Sequence, residues 1–264
     1  MRLGTTQLRA WQCDGFVVIE RLIGEDAVAR LREAYDAILA RRVVAGGDRM
    51  LGGITRQVMM ACTAHPAFHR NEALDEAAEI AEQLLGEAPV RSFDMLIDKP
   101  PGHPHATPWH QDMSYAGLPF APEGSAIPLE TLQFWVALDD VDALNGCMHF
   151  LPGQHTRPLL AHRVASGDPN DDARLLELVD AERQLDLSRA VAAPLRAGGA
   201  TLHSYGTPHY TPPNRSADRP RRAFIFNLAP LRIVERMAAQ LGDKLPPAAL
   251  AAMRELATSF RSGA

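Results

Sequence analysis

The chain reads as mainly β, a sandwich or barrel with helices flanking it. Two observations predict this. Between about residues 90 and 230 it carries short runs rich in β-formers, each closed by Pro or Gly. On either side the periodicity is helical instead.

In chain order, residues 14–20 (DGFVVIE) form a strand after a polar start. Residues 25–41 place Ala27, Val28, Leu31, Ala34, Tyr35, Ile38 and Leu39 on one helical stripe. A second amphipathic helix runs over 72–85 and stops at Gly86. The β runs are 91–98, 107–112, 131–139, 147–151, 192–195, 199–205 and 222–228. Segment 165–190 interrupts them, polar at first and helical from about Ala173 to Glu182, as an insertion over one end of the barrel. After Pro230 helix returns, with a break expected at Pro246-Pro247. The whole makes one domain of 264 residues: a helical N-terminal layer over about 21–86, a β core over about 90–230 and C-terminal helices over 231–264.

Bulk properties narrow the function. Hydrophobic residues make up 46%, and 27 basic against 32 acidic residues give a formal charge of -5. No basic block invites nucleic acid or an anionic membrane. Cys13, Cys62 and Cys147 are odd in number and far apart, which excludes a disulfide framework or a zinc ribbon. The first residues lack an apolar signal segment, and no run of eighteen apolar residues is present. A cytoplasmic protein is expected, monomer or homodimer, acting on a small molecule.

The stretch Trp109-His110-Gln111-Asp112 carries the most chemistry. On a strand, residues two apart share a face, so His110 and Asp112 could grip one metal. About a hundred residues later, Thr207-Pro208-His209 offers another ligand, with His203 a nearby rival. Two histidines and one carboxylate form the facial triad of non-heme Fe(II) oxygenases. The bland alternative is a packed histidine and a turn-capping aspartate. His209 is favoured over His203 by the residues after it. A rigid Pro212-Pro213-Asn214-Arg215-Ser216 turn comes first, then Arg219, Arg221 and Arg222 leading into the apolar run 223–228. An arginine there could fork onto the far carboxylate of a 2-oxo acid. Arg219 reads as a surface residue; alternation puts one of Arg221 and Arg222 inside and the other outside.

Five ordered blocks over roughly residues 14–230 make the chain resemble the phytanoyl-CoA dioxygenase family of Fe(II)/2-oxoglutarate oxygenases. They are Met95-Leu96-Ile97-Asp98-Lys99-Pro100-Pro101-Gly102; Trp109-His110-Gln111-Asp112; Phe134-Trp135-Val136-Ala137-Leu138-Asp139-Asp140; Asn145-Gly146-Cys147 with Leu151-Pro152-Gly153-Gln154-His155; and His209 with Asn214-Arg215-Ser216 and Arg221-Arg222-Ala223. The resemblance implies a double-stranded β-helix (jelly-roll, cupin-like) core. It matches His110, Asp112 and His209 to the iron ligands, and Arg221 to the residue binding the distal carboxylate of 2-oxoglutarate. Met95, Trp135 and Thr211 match positions lining the co-substrate pocket. Tyr210-Thr211 stands where the family usually has Gly-Ser, so Tyr210 is expected to narrow the space beside the metal. His155 falls in a block read as structural.

The implied cofactors are Fe(II), 2-oxoglutarate and O2, with ascorbate helpful in vitro. The implied reaction hydroxylates an unactivated C–H bond and releases succinate and CO2. Relatives that halogenate replace the carboxylate by a small residue, so Asp112 disfavours halogenation; desaturation, cyclisation or epimerisation remain alternatives. For substrate contacts the sequence offers Tyr115, Gln133 and Phe120, the last on a loop over 117–122. His103 and His105 are expected on an exposed loop. A small free metabolite, an amino acid or biosynthetic intermediate, is favoured over an acyl-CoA. The rivals of another class are a non-catalytic cupin-like binding protein and a zinc hydrolase, whose H-E-x-x-H signature is absent.

Overall fold

The computed structural model describes residues 1–40, 48–51, 55–115, 129–168 and 175–241. The first third runs α1 (Thr5–Asp14), β1 (Phe16–Ile19), α2 (Glu25–Leu39), β2 (Asp48–Leu51), β3 (Thr55–Met59), α3 (Ala61–Ala64), α4 (Pro66–His69) and α5 (Glu72–Leu85). Next come β4 (Val90–Lys99), β5 (Thr107–His110), β6 (Leu132–Ala137), β7 (Met148–Phe150), β8 (His162–Val164) and β9 (Leu176–Leu178). The chain continues with α6 (Ala181–Gln184), β10 (Val191–Ala193), β11 (Ala200–Ser204), β12 (His209–Thr211), β13 (Arg221–Ala229) and α7 (Leu231–Leu241).

A seven-stranded major sheet has the order β1-β11-β6-β13-β4-β3-β2, and a four-stranded minor sheet the order β10-β7-β12-β5. The two make a jelly-roll core. Strand alternation sorts the major sheet into two faces. Leu96, Phe134, Val136, Leu202, Phe224 and Phe226 pack outward against helix residues such as Leu31, Tyr35, Leu74 and Ile80. Phe134 and Phe226 stack at 5.4 Å there; truncating either to Ala costs about 3–5 kcal/mol. Trp135, Ala137, Ala223 and Ile225 point the other way and meet Met148, Phe150 and Ala193 of the minor sheet. That inner face lines the site.

Two glycines are required by geometry. Gly86 closes α5 at φ 71, its N–H donating to the Glu82 carbonyl. Gly15 sits at φ 80 against the His155 ring, which a β-carbon would meet at 2.3 Å. His155 is buried there, in a structural position.

Several expectations change. The polar start is a helix, α1, anchored by buried Trp11. The N-terminal layer is not only helical, because β2 and β3 extend the major sheet. Within the expected helix 173–182, residues 176–178 form β9, which pairs with β8, and helix covers only Ala181–Gln184. Leu178 and Leu185 of this insertion pack with Leu151 and Trp109 on the outer face of the minor sheet. Strand 192–195 is β10 plus a separate bridge from Leu195 to Val141. Pro246-Pro247 lies outside the described residues.

Candidate metal centre and anion pocket

β5 and β12 pair so that His110 and His209 are direct partners. Their rings therefore leave the same face, with centroids 4.1 Å apart. The Nδ1 of His110 faces the Pro108 carbonyl at 2.8 Å, and that of His209 the Thr207 carbonyl at 2.9 Å. A carbonyl only accepts, so each Nδ1 carries the proton and each Nε2 presents a lone pair to the cavity.

Asp112 arrives by a different route from the one expected. β5 ends at His110, and Asp112 opens a 3-10 turn, Asp112–Ser114. Gln111 enforces the break. Its N–H donates to His162 Nε2 at 3.0 Å, its amide nitrogen donates to the Gly206 carbonyl at 2.8 Å, and its amide oxygen accepts from the Leu160 N–H at 3.0 Å. Burial pushes the His162 pKa down to about 4, so this ring accepts in its neutral form. The turn brings Asp112 Oδ1 to 3.6 Å from His110 Nε2 and 3.7 Å from His209 Nε2. One ligand atom from each of the three residues lies within 4.8 Å of the others, a separation that suits a shared cation.

Charge is arranged for a metal as well. Burial would raise the Asp112 pKa, but the histidines around it, His209 first and then His110 and His203, together hold it well below the carboxylate range. Burial, with His110 adding to it, drives His209 far below its usual value, leaving the ring neutral. A carboxylate and neutral imidazoles are the protonation states that ligation needs. The second Asp112 oxygen, Oδ2, receives Gln133 Nε2 at 2.8 Å and His203 Nε2 at 3.1 Å. The sequence favours His209 over its rival His203; the structure puts His209 in the ligand group and His203 behind Asp112.

Two residues along β12 from His209, at a strand rise of about 3.4 Å per residue, Thr211 meets Lys99. Lys99 Nζ donates to Thr211 Oγ1 at 2.8 Å and to the Pro212 carbonyl at 3.1 Å. Arg221 is the cross-strand partner of Lys99. Its guanidinium carbon sits 4.9 Å from the Trp135 ring centre, and its Nε donates to the Gly146 carbonyl at 3.0 Å. Nη1 of Arg221 is buried with no partner among the described residues. No described carboxylate lies within ion-pairing distance of either cation. Desolvation, then Arg221, pushes Lys99 down to about 6, and desolvation lowers Arg221 to about 10. Buried charges are ordinarily paired, so a buried arginine with a buried lysine beside it and no described anion on either describe an anion-binding pocket.

Alternation resolves Arg221 from Arg222. Arg222 points outward to Asp139 and Asp36, and Arg219 pairs with Asp142 at the surface. Met95 lies on the inner face, its sulfur 2.8 Å from Gln57 Nε2. Tyr115 stands edge-on to His110 at 5.6 Å, and its hydroxyl accepts from the Leu176 N–H of β9. Phe120 and the rest of loop 117–122 lie outside the described residues. Tyr210 does not narrow the metal site: flanked by inward His209 and Thr211, it points out and stacks on Trp109 at 5.4 Å. His103 is buried and bonded to Thr55, while His105 is exposed. Lys99 was not singled out from sequence as a site residue; its signal was a lysine in phase with inward Met95 and Ile97.

A family model described as phytanoyl-CoA dioxygenase (PhyH) matches residues 11–223. The chain belongs to the phytanoyl-CoA dioxygenase family. It is 29% identical over 175 residues to the peroxisomal phytanoyl-CoA dioxygenase of Rattus norvegicus, covering 61% of this chain and 50% of that protein. The chain thus spans about half the length of that PhyH relative. Among solved structures it is similar to EvdO2 from Micromonospora carbonacea var. aurantiaca complexed with 2-oxoglutarate, with TM-score 0.69, 29% identity and coverage of 86% of this chain and 90% of that one. It is also similar to the epimerase SnoN in complex with Fe3+, alpha ketoglutarate and nogalamycin RO, with TM-score 0.63, 26% identity and coverage of 85% and 82%. No described helix is long and apolar enough to cross a membrane.

Proposed function

We propose that this chain is an Fe(II)/2-oxoglutarate-dependent oxygenase that oxidises a C–H bond of a small metabolite, an amino acid or biosynthetic intermediate. The observation carrying this reading is the buried pair Lys99 and Arg221, linked through Thr211 to the strand that carries His209 of the His110, Asp112 and His209 group. A metal centre alone fits a hydrolase equally well. A metal centre with a buried arginine and lysine beside it and no described anion on either fits a small diacid whose one end meets the metal and whose other end meets Arg221 and Lys99. Bound iron supplies the chemistry that couples decarboxylation of 2-oxoglutarate with O2, giving succinate and CO2, to substrate oxidation.

The protein's part follows from the geometry. His110, Asp112 and His209 would hold the metal, a facial set of three ligands. Arg221, with one guanidinium edge free, binds the distal carboxylate. Thr211 Oγ1 accepts from Lys99, so its own hydrogen is free to be donated to the same carboxylate. Trp135 and Met95 wall the pocket and keep water from it. Tyr115 at the rim, and Gln133 deeper in, are the described candidates to meet substrate. Hydroxylation is the default outcome with Asp112 in place; the likeness to the epimerase SnoN supports epimerisation as the alternative.

The test is succinate formation by the purified protein with Fe(II), ascorbate and 2-oxoglutarate under air, alone and with pooled metabolites. Succinate that rises with one pool is the expected result. Failure of the iron-loaded protein to bind 2-oxoglutarate would sink this reading and favour the hydrolase or the non-catalytic binding protein.

A further inference from the structure

The ligands of the metal centre differ in how they are aimed. His110 and His209 are fixed by strand pairing and by backbone carbonyls behind their rings. Asp112 has neither, because it lies on a 3-10 turn past the end of β5. Its carboxylate is held instead from across the barrel. Gln133 on β6 and His203 on β11 are direct cross-strand partners, so their side chains leave the same inner face of the major sheet. Both nitrogens converge on Asp112 Oδ2, at 2.8 Å and 3.1 Å, and lie 3.1 Å from each other; an ionised carboxylate only accepts, so His203 carries its proton on Nε2 and both nitrogens donate to Oδ2. Oδ1 alone remains to face His110 and His209 Nε2.

His203 is unusual in another respect. It is fully buried, between the rings of Phe150 and His209, and its Nδ1 has no partner among the described residues. An unpaired buried nitrogen is costly, and an apolar residue would fill that place without the cost. What the imidazole adds is the Nε2–H on Asp112.

We infer that Gln133 and His203 form a positioning fork that makes Asp112 a one-oxygen metal ligand. By occupying Oδ2 from two directions, the fork stops the carboxylate from rotating to grip the metal with both oxygens. A two-oxygen grip would take up a position needed by co-substrate. The inference rests on the metal site proposed above and adds to it two residues that never touch the metal.

The experiment uses metal-free full-length protein loaded with Co(II) under anaerobic conditions. The dissociation constant is read by chelator competition, and the coordination number by the visible absorption of bound Co(II). His203→Leu removes the donor, His203→Gln keeps one, and Gln133→Leu removes the other arm. Loss of an outer partner of a metal ligand weakens binding roughly 10- to 100-fold. His203→Leu is expected in that range with a changed Co(II) spectrum, and His203→Gln should recover most of both. The melting temperature of metal-free His203→Leu should not fall. Wild-type affinity and spectrum in both Leu variants would overturn the fork. So would a loss that His203→Gln does not restore, which would mark a packing role. If His203→Leu fails to fold, Gln133→Leu decides the matter by the same two readouts. No Co(II) binding by the wild-type protein would instead overturn the metal-site reading itself.

Discussion

The two ends of the inner cavity solve opposite charge problems. At the metal end, β5, the turn after it and β12 bring together a carboxylate and two histidines in surroundings that favour an ionised Asp112 and a neutral His209. That end is nearly self-consistent before any ligand arrives. At the other end, the major sheet sets Lys99 beside Arg221 with no described anion near, and both lose part of their basicity to burial. The first end is preorganised; the second is held in tension. Each end thereby declares the partner it awaits, a cation at the minor sheet and an anion at the major sheet. An extended diacid bridging them relieves the tension while adding its own donors to the metal.

Substitutions at the preorganised end should be the most damaging. Asp112→Ala or His209→Ala should abolish Fe(II) binding in anaerobic titration, since the first removes the only charged ligand and each leaves two ligands where a facial triad needs three. Retained iron in His209→Ala would transfer the ligand role to His203. At the strained end, Arg221→Ala removes a buried charged clamp. Truncating one member of such a contact costs about 2–5 kcal/mol, so the Michaelis constant for 2-oxoglutarate should rise by roughly 1.5 to 3.5 orders of magnitude. Arg222→Ala should leave that constant alone and lower stability instead, because its partners are Asp139 and Asp36. An equal effect of the two substitutions would contradict the assignment of inward and outward arginines.

Lys99 exposes the tension of the anion end through pH. Its pKa is about 6 in the protein alone, so the amine is largely uncharged at neutral pH. A bound carboxylate favours the ammonium and raises that pKa. Binding of 2-oxoglutarate should therefore take up a proton above about pH 6, and affinity should fall as pH rises towards the elevated value. Calorimetry in buffers of different ionisation enthalpy reads the uptake directly. Lys99→Met should remove it, and the Michaelis constant for 2-oxoglutarate should rise roughly tenfold, the loss of about 1.4 kcal/mol. Undiminished proton uptake in Lys99→Met would place the titrating group elsewhere.

The same contrast explains what the sequence could disclose. The major strands and the helices α2 and α5 were legible because each carries its own periodicity. The metal residues drew attention because His110 and Asp112 lie two apart, although the alternation argument for their sharing a face does not describe the turn that joins them. The cation pocket was only half legible. Arg221 stood out beside an apolar strand, but Lys99 becomes its neighbour through the β13–β4 register, which a single sequence does not print. The fork on Asp112 is hidden for the same reason, since Gln133 and His203 meet only across β6 and β11. Short outer elements such as β8 and β9 have three residues each, too few to show a period.

The mildest consequence concerns whether the outer face of the minor sheet is insulated from both ends. Tyr210 lies between His209 and Thr211 on β12, yet its ring stacks on Trp109 with interplanar angle 20° and meets the edge of His149. Trp109 in turn packs with Leu178 and Leu185 of the insertion. Tyr210→Ala should therefore cost stability, of which the stacked pair contributes about 0.5–1.5 kcal/mol beyond burial. Co(II) affinity and the Michaelis constant for 2-oxoglutarate should not move, because neither His209 nor Thr211 depends on the outward ring for its inward contacts. Thermal melting and Co(II) competition on one preparation separate the two. A drop in metal affinity comparable to that of Asp112→Ala would mean that β12 transmits strain across its own pleat, and the outer aromatic pair would then belong to the site.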